Sequence, residues 1–99
     1  MRKSKATLAR NASELADTLG LTPADGLEIE VRSDLNDKII EVVQRKGLTH
    51  AQVAKLSKAS RTRITAIMNR NTYEISTDLM LRVLASLGIQ ARIHFRNAA

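Results

Sequence analysis

The chain has 99 residues, a formal net charge of +6 and no cysteine. A chain of this length can form one hydrophobic core but is too short for two domains of ordinary size, and without cysteine it has no disulfide and no thiolate metal site. Its basic start lacks the apolar run of a secretory signal, and no segment is long and apolar enough to span a bilayer, so we expect a cytoplasmic protein with no membrane partner.

Residues 1–21 are predicted to form an N-terminal arm that contains one short helix. Ser13 suits the N-cap position of this helix, and Gly20 suits the residue that follows its last turn.

A long helix is predicted next, over roughly 23–46. Thr22 suits its N-cap, and Pro23 suits its first helical position. Apolar residues then recur every four positions, at Leu27, Val31, Leu35, Ile39 and Val43. A short strand over Leu27–Val31 is the alternative, because apolar and acidic residues alternate there and Gly26 weakens a helix start.

Two short helices that cross at a sharp turn are predicted in the middle of the chain. Thr49 can cap the first, over about 50–57, whose first amides would otherwise be unpaired. Ala54 is small where two steeply crossing helices must approach closely, and Ile64 and Ile67 give the second helix a face that packs there.

The second of these helices has a polar and basic first turn. Ser60 suits its N-cap, so Arg61, Thr62 and Arg63 fall in that turn. Unpaired amides and the positive end of the helix dipole favour an anion at this position, and phosphate is the obvious one.

The last predicted elements are a helix and a strand. Ser76 can cap a helix that continues to about Leu87. Apolar and polar residues then alternate over Ile89–Arg96, which predicts a half-buried strand. Unless residues 27–31 are also a strand, its pairing groups are best satisfied by a second copy of the chain, so we predict a homodimer that pairs through Ile89–Arg96.

Charge is distributed unevenly along the chain. Residues 1–10 carry four basic and no acidic groups, residues 11–46 carry four basic and eight acidic groups, and residues 47–99 carry eight basic and two acidic groups. A basic surface raises the local concentration of nucleic acid. The two short helices lie in the basic region, and the long helix lies in the acidic one.

Four segments carry a resemblance to a known family. They are Leu48-Thr49-His50-Ala51-Gln52-Val53-Ala54, Ser60-Arg61-Thr62-Arg63-Ile64, Asn69-Arg70-Asn71 and Ile75-Ser76-Thr77-Asp78-Leu79. In these segments the chain resembles the Cro/C1-type helix-turn-helix proteins and, among them, the single-domain repressors that serve as HigA-like antitoxins.

The chain departs from the family pattern at three positions. Lys58 replaces a turn glycine, so we expect a left-handed conformation at Lys58. Ser57 replaces an apolar residue and needs a backbone partner if it is buried. Arg70 replaces a glycine after the second helix, and we expect Asn69 to take the left-handed conformation there instead.

The resemblance implies a mainly α fold, a helical bundle that contains a helix-turn-helix. Residues 22–88 would form the DNA-binding domain, and residues 89–99 a β-strand that pairs across the homodimer. By this resemblance the chain is an antitoxin that neutralises a HigB/RelE-type mRNA-cleaving toxin and represses its own operon. A small basic toxin would be held by the acidic region 11–46 or by the N-terminal arm. The alternative is a stand-alone repressor without a toxin partner.

The resemblance also implies which residues contact double-stranded operator DNA in its major groove. Arg61 and Thr62 would read base edges, and Thr65 and Ala66 would meet a thymine methyl group. The remaining contacts would be to phosphates. They are Thr49, His50, Gln52, Ser60, Arg63, Asn69 and Arg70.

Several of these residues also have simpler roles open to them. His50 can be a solvated polar residue, Arg63 can pair with a nearby acid, and Ser60 and Asn69 can serve as helix caps only. The chain has no metal-binding spacing, glycine-rich phosphate loop or nucleophile motif, so we expect no enzyme, no cofactor and no metal site.

Overall fold

The structure is a computed structural model that describes Gly20 and residues 22–97. The described residues form four α-helices, numbered here in chain order, and no strand. The helices are α1 (Pro23–Lys46), α2 (His50–Ser57), α3 (Arg61–Met68) and α4 (Thr77–Ser86). The mainly α class is therefore confirmed, whereas the predicted short helix of the arm lies outside the described residues apart from Gly20.

The chain divides into two units, Met1–Asp34 and Leu35–Ala99. α1 continues through the boundary, and the other three helices belong to the second unit. The division of the chain at residues 22 and 89 stays a prediction.

α1 begins where the sequence predicted, with Thr22 as its cap. The Asp25 amide donates to Thr22 Oγ1 (3.1 Å), and the Thr22 amide and hydroxyl both donate to the Asp25 carboxylate (2.9 Å each). These bonds to Thr22, backbone first and side chain second, hold the pKa of the Asp25 carboxyl below its usual value. The Gly26 amide donates to the Thr22 carbonyl (3.1 Å) and closes the first turn. The alternative strand over 27–31 is therefore wrong, because the capped proline start outweighs the local alternation.

Only the second half of the four-residue apolar repeat of α1 is buried. Ile39 and Val43 lie in the core, whereas Leu27 and Val31 are 60% and 43% exposed. A four-residue step overshoots one helical turn by roughly 40°, so a stripe with this spacing winds around a straight helix.

α2 has the cap and the ending that its sequence predicted. Thr49 and Gln52 form a capping box, with Gln52 N donating to Thr49 Oγ1 (3.1 Å) and Thr49 N donating to Gln52 Oε1 (2.8 Å). Ser57 is 2% exposed, and its hydroxyl donates to the Val53 carbonyl at 2.7 Å. Lys58 has φ 56° and ψ 38°, the left-handed conformation expected of it.

The second unit has one hydrophobic core, to which all four helices contribute. α2 packs on both α3 and α4. Ser76 caps α4 by accepting from Leu79 N (3.1 Å), and Ile75 and Met80 are both buried, as a hydrophobic staple requires. The buried residues of this core are Ile39, Val42, Val43, Val53, Ala54, Ile64, Ile67, Ile75, Leu79, Met80, Val83, Leu84 and Leu87.

The end of α3 differs from the sequence prediction. Asn69 has φ −91° and still donates its amide to the Thr65 carbonyl (3.0 Å), and the left-handed residue is Arg70, with φ 60°. The buried Asn36 side chain of α1 donates to the Ile67 carbonyl at 2.8 Å. This bond to α1 satisfies a carbonyl in the last turn, and the chain reverses one residue later than expected.

The C-terminal end of α4 is capped by a lysine from α1. Lys46 Nζ donates to the Leu87 carbonyl at 2.9 Å, a favourable position for a cation at a helix C-terminus. Gly88, with φ 83°, then turns the chain away. Residues 89–97 form no strand in this single chain. A β-ladder needs a second strand, so pairing with another copy stays a prediction.

The left-handed Lys58 gives a prediction about stability. A non-glycine residue in this conformation costs about 1 kcal/mol, and the exposed Lys58 side chain has no packing to lose. Lys58→Gly should therefore raise the free energy of unfolding by about 0.5–1 kcal/mol. Lys55→Gly is the matched control, because Lys55 is exposed in the interior of α2, where glycine has no strain to relieve. This change should lower the free energy of unfolding by about 1 kcal/mol. Urea denaturation measures both values, and a loss of stability in both variants would contradict the strain at Lys58.

Candidate nucleic-acid interface

The interface is built from the N-terminal ends of α2 and α3. Both ends follow capping residues, Thr49 and Ser60, and Ser60 Oγ accepts from Arg63 N at 3.2 Å. Capping leaves further amides in each first turn without an intrahelical partner. Two such ends on packed helices make a surface that attracts anions.

The first turn of α3 presents its side chains to solvent. Arg61, Thr62 and Arg63 are all exposed. Neither arginine forms an ion pair with any residue from 22 to 97, so the simpler role of Arg63 in an ion pair finds no acidic partner there. The buried Ile64 and Ile67 fix the opposite face of the helix in the core. The guanidinium groups are thus held on a helix that packs into the core, and no acidic residue within 22–97 pairs with them.

The start of α2 keeps donors available in spite of its capping box. Thr49 and Gln52 are exposed. The Thr49 hydroxyl accepts one bond and can still donate one, and the Gln52 oxygen is used in the cap while its NH₂ group is not. Both side chains can therefore cap the helix and donate to phosphate together.

His50 and Thr65 are joined to each other. His50 Nδ1 and Thr65 Oγ1 are 2.9 Å apart, and both residues are half-buried. The bond connects the first turn of α2 to the middle of α3. His50 is therefore more than a solvated polar residue. The Thr65 hydroxyl is bonded to His50, and the Thr65 methyl group takes no part in that bond.

Asn69 and Arg70 lie at the other end of α3 and are both exposed. Arg70 forms an ion pair with Asp37 of α1, in which both side chains are more than half exposed. A pair this exposed contributes only about 0–1 kcal/mol. A phosphate would have to compete with Asp37 for Arg70, which the sequence did not reveal. A phosphate contact by Arg70 therefore stays a prediction.

A groove beside α3 contains residues that the sequence analysis did not assign to DNA binding. One wall is α3 and the other is the loop that leads to α4. The lining residues are Ser60, Thr62, Arg63, Ala66, Asn71, Tyr73, Glu74 and Ile75. Among them, Tyr73 is 93% exposed and has no part in the core. The feature of the sequence that could have drawn attention to it is a lone tyrosine in a polar stretch.

No group of three or more His, Cys, Asp or Glu side chains within the described part of the chain is arranged to hold a metal ion. No described helix is long and apolar enough to cross a bilayer. The surface assembled at α2 and α3 is instead one of hydroxyl, amide and guanidinium donors, which suits a polyanion.

Comparison with known proteins identifies a family match. The model of a family described as helix-turn-helix domain matches residues 15–96. No curated protein and no solved structure matches the chain significantly. The match covers most of the chain, including all four described helices, and it agrees with the resemblance to Cro/C1-type proteins without selecting their HigA-like members. The chain belongs to the helix-turn-helix domain family.

Proposed function

We propose that this protein is a sequence-specific DNA-binding regulator that places α3 in the major groove of double-stranded DNA. The observation that carries the proposal is the exposed first turn of α3, whose arginines form no ion pair within residues 22–97, beside the exposed start of α2. In this arrangement Arg61 and Thr62 read base edges, and the start of α2 contacts phosphate. Asn69 and Arg70 supply further phosphate contacts at the far end of α3.

Replacing Arg61 tests this proposal. A bidentate arginine–guanine contact is worth about 1–3 kcal/mol, so Arg61→Ala should weaken binding roughly 5- to 150-fold and relax the preference at one base pair. The DNA is a duplex selected by the wild-type protein from a random library, and fluorescence anisotropy measures the affinity.

Arg82→Ala is the matched control for this experiment. Arg82 is exposed on α4 and does not line the groove beside α3, and its removal changes the net charge by the same amount. Its affinity should stay within about twofold of wild type, since it loses no direct contact. Equal losses in both variants would reduce Arg61 to a general charge effect and contradict base reading.

We also propose that the protein binds DNA as a homodimer joined through Ile89–Arg96. The support is the exposure of the apolar face of this segment, where Ile93 is 80% and Phe95 is 92% exposed in the single chain. Antiparallel pairing of two copies would satisfy the backbone groups along one edge of each segment and place their apolar side chains on one face. A dimer would present two copies of α3 to half-sites roughly 34 Å apart.

Charges placed on the two faces of this segment test the dimer. Ile93→Lys combined with Phe95→Lys should give a monomer, because paired strands would bring these lysines together on a buried face. Gln90→Lys combined with His94→Lys adds the same number of lysines to the opposite face and should leave the dimer intact. Sedimentation equilibrium distinguishes the chain mass of 10.9 kDa from twice that value. A monomeric wild-type protein, or a dimeric Ile93/Phe95 variant, would refute the pairing.

A finer proposal is that the regulator is an antitoxin for a small basic toxin of the HigB/RelE type. The support is the first half of α1, where Leu27 and Val31 are exposed one turn apart and Glu28 and Glu30 lie between them. An apolar ridge with acidic neighbours is complementary to a basic protein. In the alternative, a stand-alone repressor, the acidic helix only keeps its own surface away from DNA.

Isolation of the native complex distinguishes the antitoxin from the stand-alone repressor. After nuclease treatment, an antitoxin should co-purify with a small basic protein in near-equal amount, and adding it back should stop that protein from cleaving mRNA. Leu27→Ser combined with Val31→Ser should weaken this inhibition. Leu56→Ser, which changes an exposed leucine of α2, is the matched control and should not. Recovery of the protein alone would favour the stand-alone repressor.

A further inference from the structure

Tyr73 is exposed on a turn whose two ends are fixed. Ile75 N donates to the Thr72 carbonyl at 3.0 Å, so Tyr73 and Glu74 occupy the centre of a four-residue turn. Before the turn, Asn71 N donates to the Ala66 carbonyl of α3 at 2.8 Å. After the turn, Ile75 is buried in the core. The tyrosine is therefore presented to solvent from a backbone that α3 and the core hold in place.

The turn and the first turn of α3 line the same groove. Tyr73 and Glu74 form one wall, and Thr62 and Arg63 belong to the other. A DNA strand whose phosphates approach Arg63 would pass the tyrosine. The tyrosine hydroxyl is a neutral donor that suits a phosphate oxygen, and a fully exposed aromatic ring contributes little to folding.

We infer that Tyr73 is a further DNA contact, in which its hydroxyl donates to a phosphate of the strand that Arg63 approaches. This inference rests on the proposed DNA-binding function and adds a residue from outside the two helices. Glu74 follows directly, and its negative charge repels phosphate. A DNA phosphate is therefore favoured beside Tyr73 and disfavoured beside Glu74. The turn thereby helps to fix the register of α3 in the groove.

Tyr73→Phe tests the contact, because it removes only the hydroxyl. A neutral hydrogen bond is worth about 0.5–1.5 kcal/mol, so affinity for the selected duplex should fall roughly 2- to 12-fold. The loss should be equal for duplexes with single base changes, because a phosphate contact carries no base information. The dependence of affinity on salt should not change, since a neutral group releases no counterion.

Two further variants complete the experiment. Affinity falls as salt rises, and Arg63→Ala should make the slope of log affinity against log salt less negative by about 0.9, as expected for the loss of one charged phosphate contact. Ser33→Ala removes an exposed hydroxyl from the other unit and should bind as wild type. If Tyr73→Phe also binds as wild type while Arg61→Ala does not, the inference fails and the proposed function stands. If wild-type protein selects no duplex, both fail together.

The fluorescence of Tyr73 tests the contact without any substitution. The chain has one tyrosine and no tryptophan, so its emission comes from Tyr73 alone. Acrylamide should quench this emission efficiently in the free protein and several-fold less in the complex, with lifetimes measured so that absorption by DNA does not interfere. Equal quenching with and without the selected duplex would overturn the contact even if the variants misfold.

Discussion

The shared core beneath α2 and α3 is the constraint on which the rest of the structure depends. Each of these helices has eight residues, and helices this short are not stable alone in water. Their geometry comes from Val53 and Ala54 on one helix and Ile64 and Ile67 on the other, all buried in one cluster with residues of α1 and α4. The exposed donors at the helix starts are precisely placed only because the opposite faces are held. A change in this core would therefore move the candidate nucleic-acid interface as a whole.

Three hydrogen bonds add directional constraints to the helix positions that apolar packing sets. Asn36 connects α1 to the last turn of α3, His50 connects α2 to α3, and Ser57 satisfies its hydroxyl within α2. Each bond involves a buried or half-buried group, for which an unsatisfied donor would be costly. The first two link α3 to other helices, and the bond from Asn36 spans 31 positions of the sequence. They limit rotation of α3 about its axis, which in the proposed complex decides the base edges that Arg61 faces.

Local rules predicted much of this fold, and long-range bonds account for what they missed. Caps and helix lengths follow from residues within one turn of each other, so the sequence revealed them. The left-handed Lys58 was expected because the family that the chain resembles has a turn glycine at that position. The exit of α3 does not follow from local residues, because asparagine tolerates the left-handed region better than arginine, yet Arg70 adopts it. The bond from Asn36 and the ion pair with Asp37 lie more than thirty positions away in sequence. Tyr73 was missed for the same reason, since a pattern within a loop does not show which helix the loop borders.

The bond between Lys46 and the Leu87 carbonyl helps to set the distance between the two copies of α3 in the proposed dimer. It fixes the point from which the C-terminal segment leaves the domain, so the separation of the two copies of α3 depends on the residues counted from that point to the paired register. A slip of one residue would turn the apolar side chains to the wrong face. The register can change only in steps of two residues, or roughly 7 Å. The half-site spacing that the proposed dimer matches can therefore change only in steps of about this size. Operators with an intermediate spacing would match none of the allowed registers.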